Sequence, residues 1–127
     1  MVALGLRVVG SLVLIVWGLA HIVPVRRILR GFGSLSRENE RIVSSTWIGE
    51  GLALVFVGAV EGLVAYYGIL GGALENKIAY AGGAFLLALA LIDLSTKARN
   101  PHFAMRLCPV ILALVAGAYI ASAVLLG

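Results

Sequence analysis

The sequence predicts an all-α integral membrane protein, an antiparallel bundle of four transmembrane helices with a short interfacial helix after the first. Of its 127 residues, 61% are apolar and 13% are charged, and the mean hydropathy is +1.06. This composition is too apolar for a soluble domain of the same size. Four segments reach the roughly 20 apolar residues that a helix needs to cross a bilayer. Because these segments nearly exhaust the chain, residues 1–127 are predicted to form a single transmembrane domain.

The four predicted spans cover residues 3–23, 47–67, 77–95 and 107–126. We interpret the first as a retained helix, because no A-x-A cleavage site follows it as in a secretory signal. In the first connection, Pro24 is expected to open a short amphipathic helix in the headgroup region. Ser34 or Ser36 can cap a further helix that runs into the second span. Pro109 is expected in the first turn of the fourth span, where proline is tolerated.

Basic residues are concentrated in the first connection and in the third, which contains the turn signal Asn100-Pro101. By the positive-inside rule, connections 24–46 and 96–106 are cytoplasmic, and both termini lie outside the cell membrane. The same distribution predicts contact with anionic lipid headgroups and no nucleic-acid site. The eight basic residues of these connections are Arg26, Arg27, Arg30, Arg37, Arg41, Lys97, Arg99 and Arg106, against Arg7 and Lys77 elsewhere.

Two carboxylates, Glu50 and Glu61, interrupt the second predicted span. Because an α-helix turns by about 100° per residue, both lie on one face, roughly 16 Å apart along the axis. Arg7 and His21 share a stripe on the first span by the same count. Ionisable groups inside a membrane usually face the bundle interior and find partners. Antiparallel packing then predicts an outer pair of Arg7 with Glu61 and a cytoplasmic pair of His21 with Glu50.

Three further residues extend these pairs into a predicted interior polar track. Asp93 and Cys108 are expected beside the cytoplasmic pair, and Tyr119 beside the outer pair. The alternative interpretation is structural, namely ion pairs that fix helix register and polar groups that reach the headgroups. The candidates for a ligand site or a proton path are Glu61, Arg7, Glu50, His21, Asp93 and Tyr119.

Several other chemistries are disfavoured by residue type and spacing. The single Cys108 cannot form a disulfide within the chain. No metal site is predicted, since a carboxylate-bridged centre would need Glu-x-x-His motifs on facing helices. Bis-histidine haem would need His21 together with His102, which falls in a connection. No phosphate-binding loop, nucleophile elbow or dinucleotide fingerprint is present, so no catalytic residue is predicted and the sequence leaves open whether the chain is an enzyme.

Three segments resemble the DoxX-like group of small four-helix membrane proteins. They are GLAHIVP at 18–24, WIGEGLALVFVG at 47–58 and RLCPVILALVAGAYIASA at 106–123. A well-known member type of that group is a subunit of a membrane thiosulfate:quinone oxidoreductase, so the resemblance implies a four-helix fold and a quinone-linked role. It carries over no site residue. The small multidrug transporters are less similar, because their acidic residue lies in the first helix, where this chain has Arg7 and His21.

We therefore expect an accessory subunit, or a binder of a small hydrophobic or quinone-like molecule, in a membrane redox system, with His21 and Glu50 as polar contacts. The alternative is a small proton-coupled transporter or channel with an intramembrane Glu/His track. A purely structural subunit of a larger complex is a third possibility. Small residues at four-residue spacing permit close packing within the bundle or between copies in a homo-oligomer. They are Gly58 and Gly62, and Ala113, Gly117 and Ala121.

Overall fold

The computed structural model describes residues 1–68, 71–97 and 103–127, and its regular elements there are all helices. Four of its five helices are long and apolar enough to cross a membrane. The predicted turn at Asn100-Pro101, together with Arg99 and His102, lies outside the described residues. The helices are α1 (Val2–Ile22), α2 (Val25–Gly31), α3 (Arg37–Tyr67), α4 (Gly71–Thr96) and α5 (Phe103–Leu126).

The connection after α1 contains the short helix that the sequence predicts. Pro24 is the N-cap of α2, and Leu29 is the buried residue of this helix. The chain turns after α2 at Gly33, whose φ of 78° lies in the left-handed region that favours glycine. The three arginines of α2 are exposed, whereas Leu29 is buried.

Helix α3 confirms that the capped segment and the second span form one continuous helix. The Ser36 side chain accepts a hydrogen bond from the Asn39 backbone N–H at 3.2 Å. Glu38 and Glu40 lie in the first turn, where carboxylates favour the positive end of the helix dipole. The helix ends at Tyr67 and is capped by Gly68, which has a φ of 53°.

Helices α4 and α5 both begin earlier than predicted. α4 starts at Gly71 rather than residue 77, which places the polar residues Glu75 and Asn76 inside the helix. α5 starts at Phe103 rather than residue 107, so the expectation of Pro109 in a first turn is wrong, and this proline lies inside the helix. Polar residues near a helix start resemble a connection in sequence, but here the helix continues because tertiary partners satisfy them.

Close contact between α1 and α3 depends on glycines. A Cβ added to Gly18 would lie 2.6 Å from the Gly51 carbonyl oxygen, and one added to Gly51 would lie 2.7 Å from the Gly18 carbonyl oxygen. A Cβ on Gly58 would lie 2.8 Å from the Ser11 carbonyl oxygen. Small residues thus let the two backbones approach closely. This packing fixes which side chains of α1 face those of α3.

Candidate functional site

Buried and half-buried side chains with polar atoms form two separate groups between the helices. We define the Arg7 cluster as Arg7, Ser11, Glu61, Glu75, Asn76, Tyr119 and Ser122. We define the His21 cluster as Trp17, His21, Trp47, Glu50, Asp93, Lys97 and Cys108.

Arg7 is almost completely buried and its guanidinium contacts two other helices. Nε donates to the Ser122 hydroxyl at 3.0 Å, and Nη2 donates to the Asn76 side-chain carbonyl at 3.0 Å. Nη1 lies 3.8 Å from a carboxylate oxygen of Glu75. Ser122 belongs to α5 and the other two partners belong to α4. The planar fork of an arginine suits such divergent acceptors, so Arg7 ties α1 to both helices.

The sequence predicted Glu61 as the ion-pair partner of Arg7, and this prediction is wrong. Arg7 pairs with Glu75 instead, because the early start of α4 brings that carboxylate to the guanidinium. Glu61 is 1% exposed, and neither of its carboxylate oxygens has a hydrogen-bond partner in the part of the chain that the structure describes. Its Oε1 lies against Gly82, where a Cβ would come within 2.8 Å. Gly82 therefore provides the space that this carboxylate occupies.

Tyr119 lies in the Arg7 cluster, as the sequence predicts. Its hydroxyl is 3.3 Å from that of Ser11, and the Ser11 hydroxyl donates to the Arg7 backbone carbonyl at 2.7 Å. The Tyr119 ring also packs on Gly10, where a Cβ would lie 2.9 Å from the ring. Tyr119 thus links α5 to the same turn of α1 that holds Arg7.

A layer of leucines lies between the two clusters. Each long helix contributes one fully buried leucine to a common apolar core. In the sequence of α1, α3 and α5, this leucine lies between a residue of the Arg7 cluster and a residue of the His21 cluster. In α4 it lies between Gly82, which contacts Glu61 of the Arg7 cluster, and Asp93 of the His21 cluster. The predicted interior polar track is therefore two sites separated by an apolar barrier. The leucines are Leu14 of α1, Leu54 of α3, Leu86 of α4 and Leu112 of α5.

His21 is held in one tautomer by its neighbours. Its Nδ1 lies 3.0 Å from the backbone carbonyl oxygen of Trp17. Because a carbonyl oxygen only accepts, Nδ1 carries the hydrogen, and Nε2 of the neutral ring presents a lone pair. The ring stacks on Trp47 at a centroid distance of 5.2 Å and meets Trp17 edge-on at 5.8 Å. These contacts leave Nε2 facing the rest of the cluster.

Cys108 and Glu50 complete a compact group with His21. The Cys108 sulfur lies 3.6 Å from His21 Nε2 and 3.9 Å from Glu50 Oε1. Glu50 Oε1 lies 3.8 Å from His21 Nε2, so the predicted pairing of these two residues is found. Trp17 donates its indole N–H to the Cys108 sulfur at 3.4 Å. Three different donor atoms from α1, α3 and α5 thus converge, and together they could hold a metal ion.

Lys97 joins the two acidic residues of the His21 cluster. Its ammonium contacts both carboxylate oxygens of Glu50 at 2.5 Å and Asp93 Oδ1 at 2.9 Å. Burial lowers the pKa of Lys97, but its hydrogen bonds with Glu50 and Asp93 outweigh this and raise the pKa above the ordinary value. The amine is therefore a cation at neutral pH. Asp93 lies in the cluster as predicted, and its Oδ2 has no hydrogen-bond partner among the described residues.

Trp47 forms a wall between the His21 cluster and an open cavity of about 340 Å³. One neighbour of the indole is His21, and another is the Lys97 ammonium, 5.1 Å from the ring centroid. The buried Trp47 Nε1 has no acceptor within the described ranges of the chain. The cavity is lined by Arg27, Ile28, Gly31, Trp47, Ala104 and Met105, which belong to α2, α3 and α5.

Several residues of the two clusters could not be predicted from the sequence. Lys97 carried only a topological signal, and Glu75 and Asn76 fell outside the predicted third span. The sequence positions of Trp17 and Trp47 indicated anchoring at the membrane interface, or packing, rather than a role in a binding site. Glu75 lies three residues before Ile78, where the apolar run of α4 begins. This helical spacing is the signal that could have predicted an earlier start of α4.

Comparison of the chain with models of known protein families, with curated proteins and with solved structures gives no match. The DoxX-like resemblance of the three segments therefore remains a prediction from the sequence. What the chain does has to be argued from its two polar clusters.

Proposed function

We propose that the chain is a membrane protein that binds a small quinone-like molecule beside the His21 cluster, as an accessory component of a membrane redox system. The observation that carries this proposal is the cavity of about 340 Å³ against Trp47. Its volume lies within the usual range for small-molecule sites. Trp47 and Met105 provide an aromatic surface and a thioether to a flat ring. The redox role rests on the DoxX-like resemblance of the sequence.

Unpartnered polar atoms in the cluster complement both oxidation states of a quinone. Among the residues that the structure describes, the buried Trp47 Nε1 has no acceptor and the buried Asp93 Oδ2 has no donor, and of these two residues Trp47 is the one that lines the cavity. A quinone offers carbonyl acceptors, and the reduced quinol offers hydroxyl donors. Leaving a buried polar group unpaired costs about 1–3 kcal/mol, so a ligand that reaches either atom gains from satisfying it. His21 and Glu50, the polar contacts that the sequence predicts, do not line this cavity and lie behind Trp47, so a ligand reaches them only if the indole moves aside.

The proposed arrangement in the membrane is an antiparallel bundle in which α1, α3, α4 and α5 cross the bilayer. The termini lie outside the cell membrane, and connections 24–46 and 96–106 are cytoplasmic. The excess of basic residues in these two connections supports this orientation. α2 then lies among anionic headgroups, with Arg26, Arg27 and Arg30 in contact with them. Reporter fusions that place connection 24–46 outside would contradict the proposed topology.

Intrinsic fluorescence tests the ligand proposal directly, because Trp17 and Trp47, the two tryptophans of the chain, both belong to the His21 cluster. A short-tailed ubiquinone added to the detergent-purified protein should quench this fluorescence with saturation. Ala104→Leu should fill part of the cavity and raise the apparent Kd by about tenfold, since about 1.4 kcal/mol of lost contact gives that factor.

The matched control is Val124→Leu, at an exposed position on the same helix. It should leave the titration unchanged. Linear, unsaturable quenching would contradict the proposal, and so would an equal effect of the two substitutions. Native mass spectrometry of the gently extracted protein provides a second measurement, because it reports bound quinone, partner chains and copy number together. The expected homo-oligomer or larger complex is tested by the same spectrum.

A second candidate function, proton-coupled transport, is favoured by Glu61. Glu61 is buried and its carboxylate has no hydrogen-bond partner in residues 1–68, 71–97 and 103–127, and such a carboxylate inside a membrane is typical of proton and ion pathways. The leucine layer opposes this candidate, because it separates Glu61 from Glu50 and His21. Proton or solute flux into liposomes that falls with Glu61→Gln would support transport. Absence of flux in the unsubstituted protein would leave Glu61 with a structural role.

A further inference from the structure

We propose that His21, Glu50 and Cys108 bind a divalent transition metal ion of the zinc class. Their donor atoms all lie within 4.8 Å of one another. They supply an imidazole nitrogen, a carboxylate oxygen and a sulfur, each from a different helix. The site is formed only when α1, α3 and α5 pack together, because no two of its ligands are neighbours in the sequence.

The distances between the donor atoms fit tetrahedral coordination. Zinc lies about 2.3 Å from sulfur and about 2.0–2.2 Å from nitrogen and oxygen, which separates tetrahedral ligands by roughly 3.4–3.6 Å. The three separations in the structure are 3.6, 3.8 and 3.9 Å. The side chains therefore need to move by only a few tenths of an ångström to close around an ion.

Neighbouring groups orient two of these ligands. The Nδ1–H of His21 donates to the Trp17 carbonyl, which leaves the Nε2 lone pair available to a metal. A metal-bound histidine usually donates its other ring N–H in this way. The Trp17 indole N–H donates to the Cys108 sulfur, and such a bond also stabilises a thiolate. One tryptophan thus positions both ligands.

The charges of the site suit a divalent cation. The Glu50 carboxylate and a Cys108 thiolate together balance two positive charges, so the complex is neutral in a poorly solvated place. Binding is a ligand exchange without electron transfer, in which the Cys108 thiol proton is released. The Lys97 ammonium now contacts Glu50 and would be displaced from it. Lys97 keeps its contact with Asp93, four residues earlier.

Three protein ligands leave the fourth position of a tetrahedral ion open. Sites of this kind bind water or a substrate there, unlike structural sites with four protein ligands. The sulfur and imidazole donors select zinc, cobalt, nickel or copper over magnesium and calcium. The inference goes beyond the proposed function, because it requires no quinone-like ligand.

Cobalt alone is the probe for this site. Titrating Co²⁺ into the full-length protein in detergent, without quinone, should give one ion per chain and a sulfur-to-cobalt charge-transfer band. Cys108→Ser should abolish the band, since this is the single cysteine. His21→Gln and Glu50→Gln should each weaken binding by at least about tenfold. Glu61→Gln, which changes a buried carboxylate of the other cluster, should leave binding unchanged.

Lys97→Gln provides a variant that keeps all three ligands. Removing the competing cation should tighten Co²⁺ binding by roughly fivefold. Absence of the band in both the unsubstituted protein and Lys97→Gln would overturn the inference. A band unaffected by His21→Gln and Glu50→Gln would also overturn it, because it would report the thiol alone. Quinone titrations repeated with a chelator keep the two proposals separate, since failure of one leaves the other measurement intact.

Discussion

Arg7 shows how one residue determines the packing of several helices. An arginine at membrane depth costs several kcal/mol unless its donors are satisfied, so it is expected to find partners. In the structure the guanidinium meets Ser122, Asn76 and Glu75 on two other helices. These contacts satisfy the donors of Arg7, whereas neither carboxylate oxygen of Glu61 has a hydrogen-bond partner in the described part of the chain.

Replacing Arg7 by lysine should destabilise the protein although the charge is kept. A single ammonium cannot reach Ser122 and Asn76 in the divergent directions of a guanidinium, so at least one buried acceptor loses its donor. We expect a loss of about 1–3 kcal/mol in the free energy of unfolding, measured as a lower Tm in detergent. Lys77→Arg, at an exposed position of α4, should leave the Tm unchanged. An unchanged Tm for Arg7→Lys would show that the divergent hydrogen bonds of the guanidinium contribute nothing to stability.

Helix existence could be predicted from the sequence more reliably than helix boundaries. Hydropathy identifies the four long helices because apolar length is a local property. A cap at Ser34 or Ser36 was predicted for the same reason, and the structure shows that it is Ser36. The start of α4 was missed because Glu75 and Asn76 are polar in sequence but are satisfied by Arg7 in the fold. That partner is 68 or 69 residues away, so no local pattern contains it.

The contact between α1 and α3 should depend on where a methyl group is added. Gly51→Ala would push a Cβ into the Gly18 carbonyl at 2.7 Å and force the helices apart, at a cost of about 1–3 kcal/mol. Gly49→Ala, two residues away, meets nothing within 4 Å and should raise stability by about 0.5–1 kcal/mol through helix propensity. Thermal unfolding of the two variants in one detergent compares them. Equal shifts of the same sign would contradict this packing.

At the scale of the whole molecule, helical spacing and antiparallel packing predicted an outer and a cytoplasmic group of polar residues, but not all of the contacts within each group. Helical spacing correctly turned Glu50 and His21 towards one another, because angle around a helix follows from residue number. Asp93 was placed beside them by its depth near the cytoplasmic end of the third span. Helical spacing could not show that Cys108 comes within 3.6 Å of His21, which depends on how far α5 approaches α1. It also could not show that a layer of buried leucines separates the two groups, because leucine is expected everywhere in an apolar helix.

The leucine layer makes a prediction for proton movement through the whole bundle. Leu14, Leu54, Leu86 and Leu112 are completely buried and leave no polar group between the two clusters at that level of the bundle's described core. Proteoliposomes of the unsubstituted protein should therefore hold a pH gradient as well as empty vesicles. Leu54→Ser places a hydroxyl inside the layer and should increase proton leakage, whereas Leu52→Ser, on the exposed side of the same helix, should not.

A pH-sensitive dye inside the vesicles measures the difference between the two serine variants. The sensitivity of Leu54 follows from geometry, because Glu50 and Glu61 lie on either side of it along one face of α3. Leakage equal in both variants would mean that the serine disturbs the bilayer rather than the layer. Rapid decay of the gradient with the unsubstituted protein would show that the layer opens, and this outcome would favour transport through Glu61 over ligand binding at Trp47 as the function of the protein.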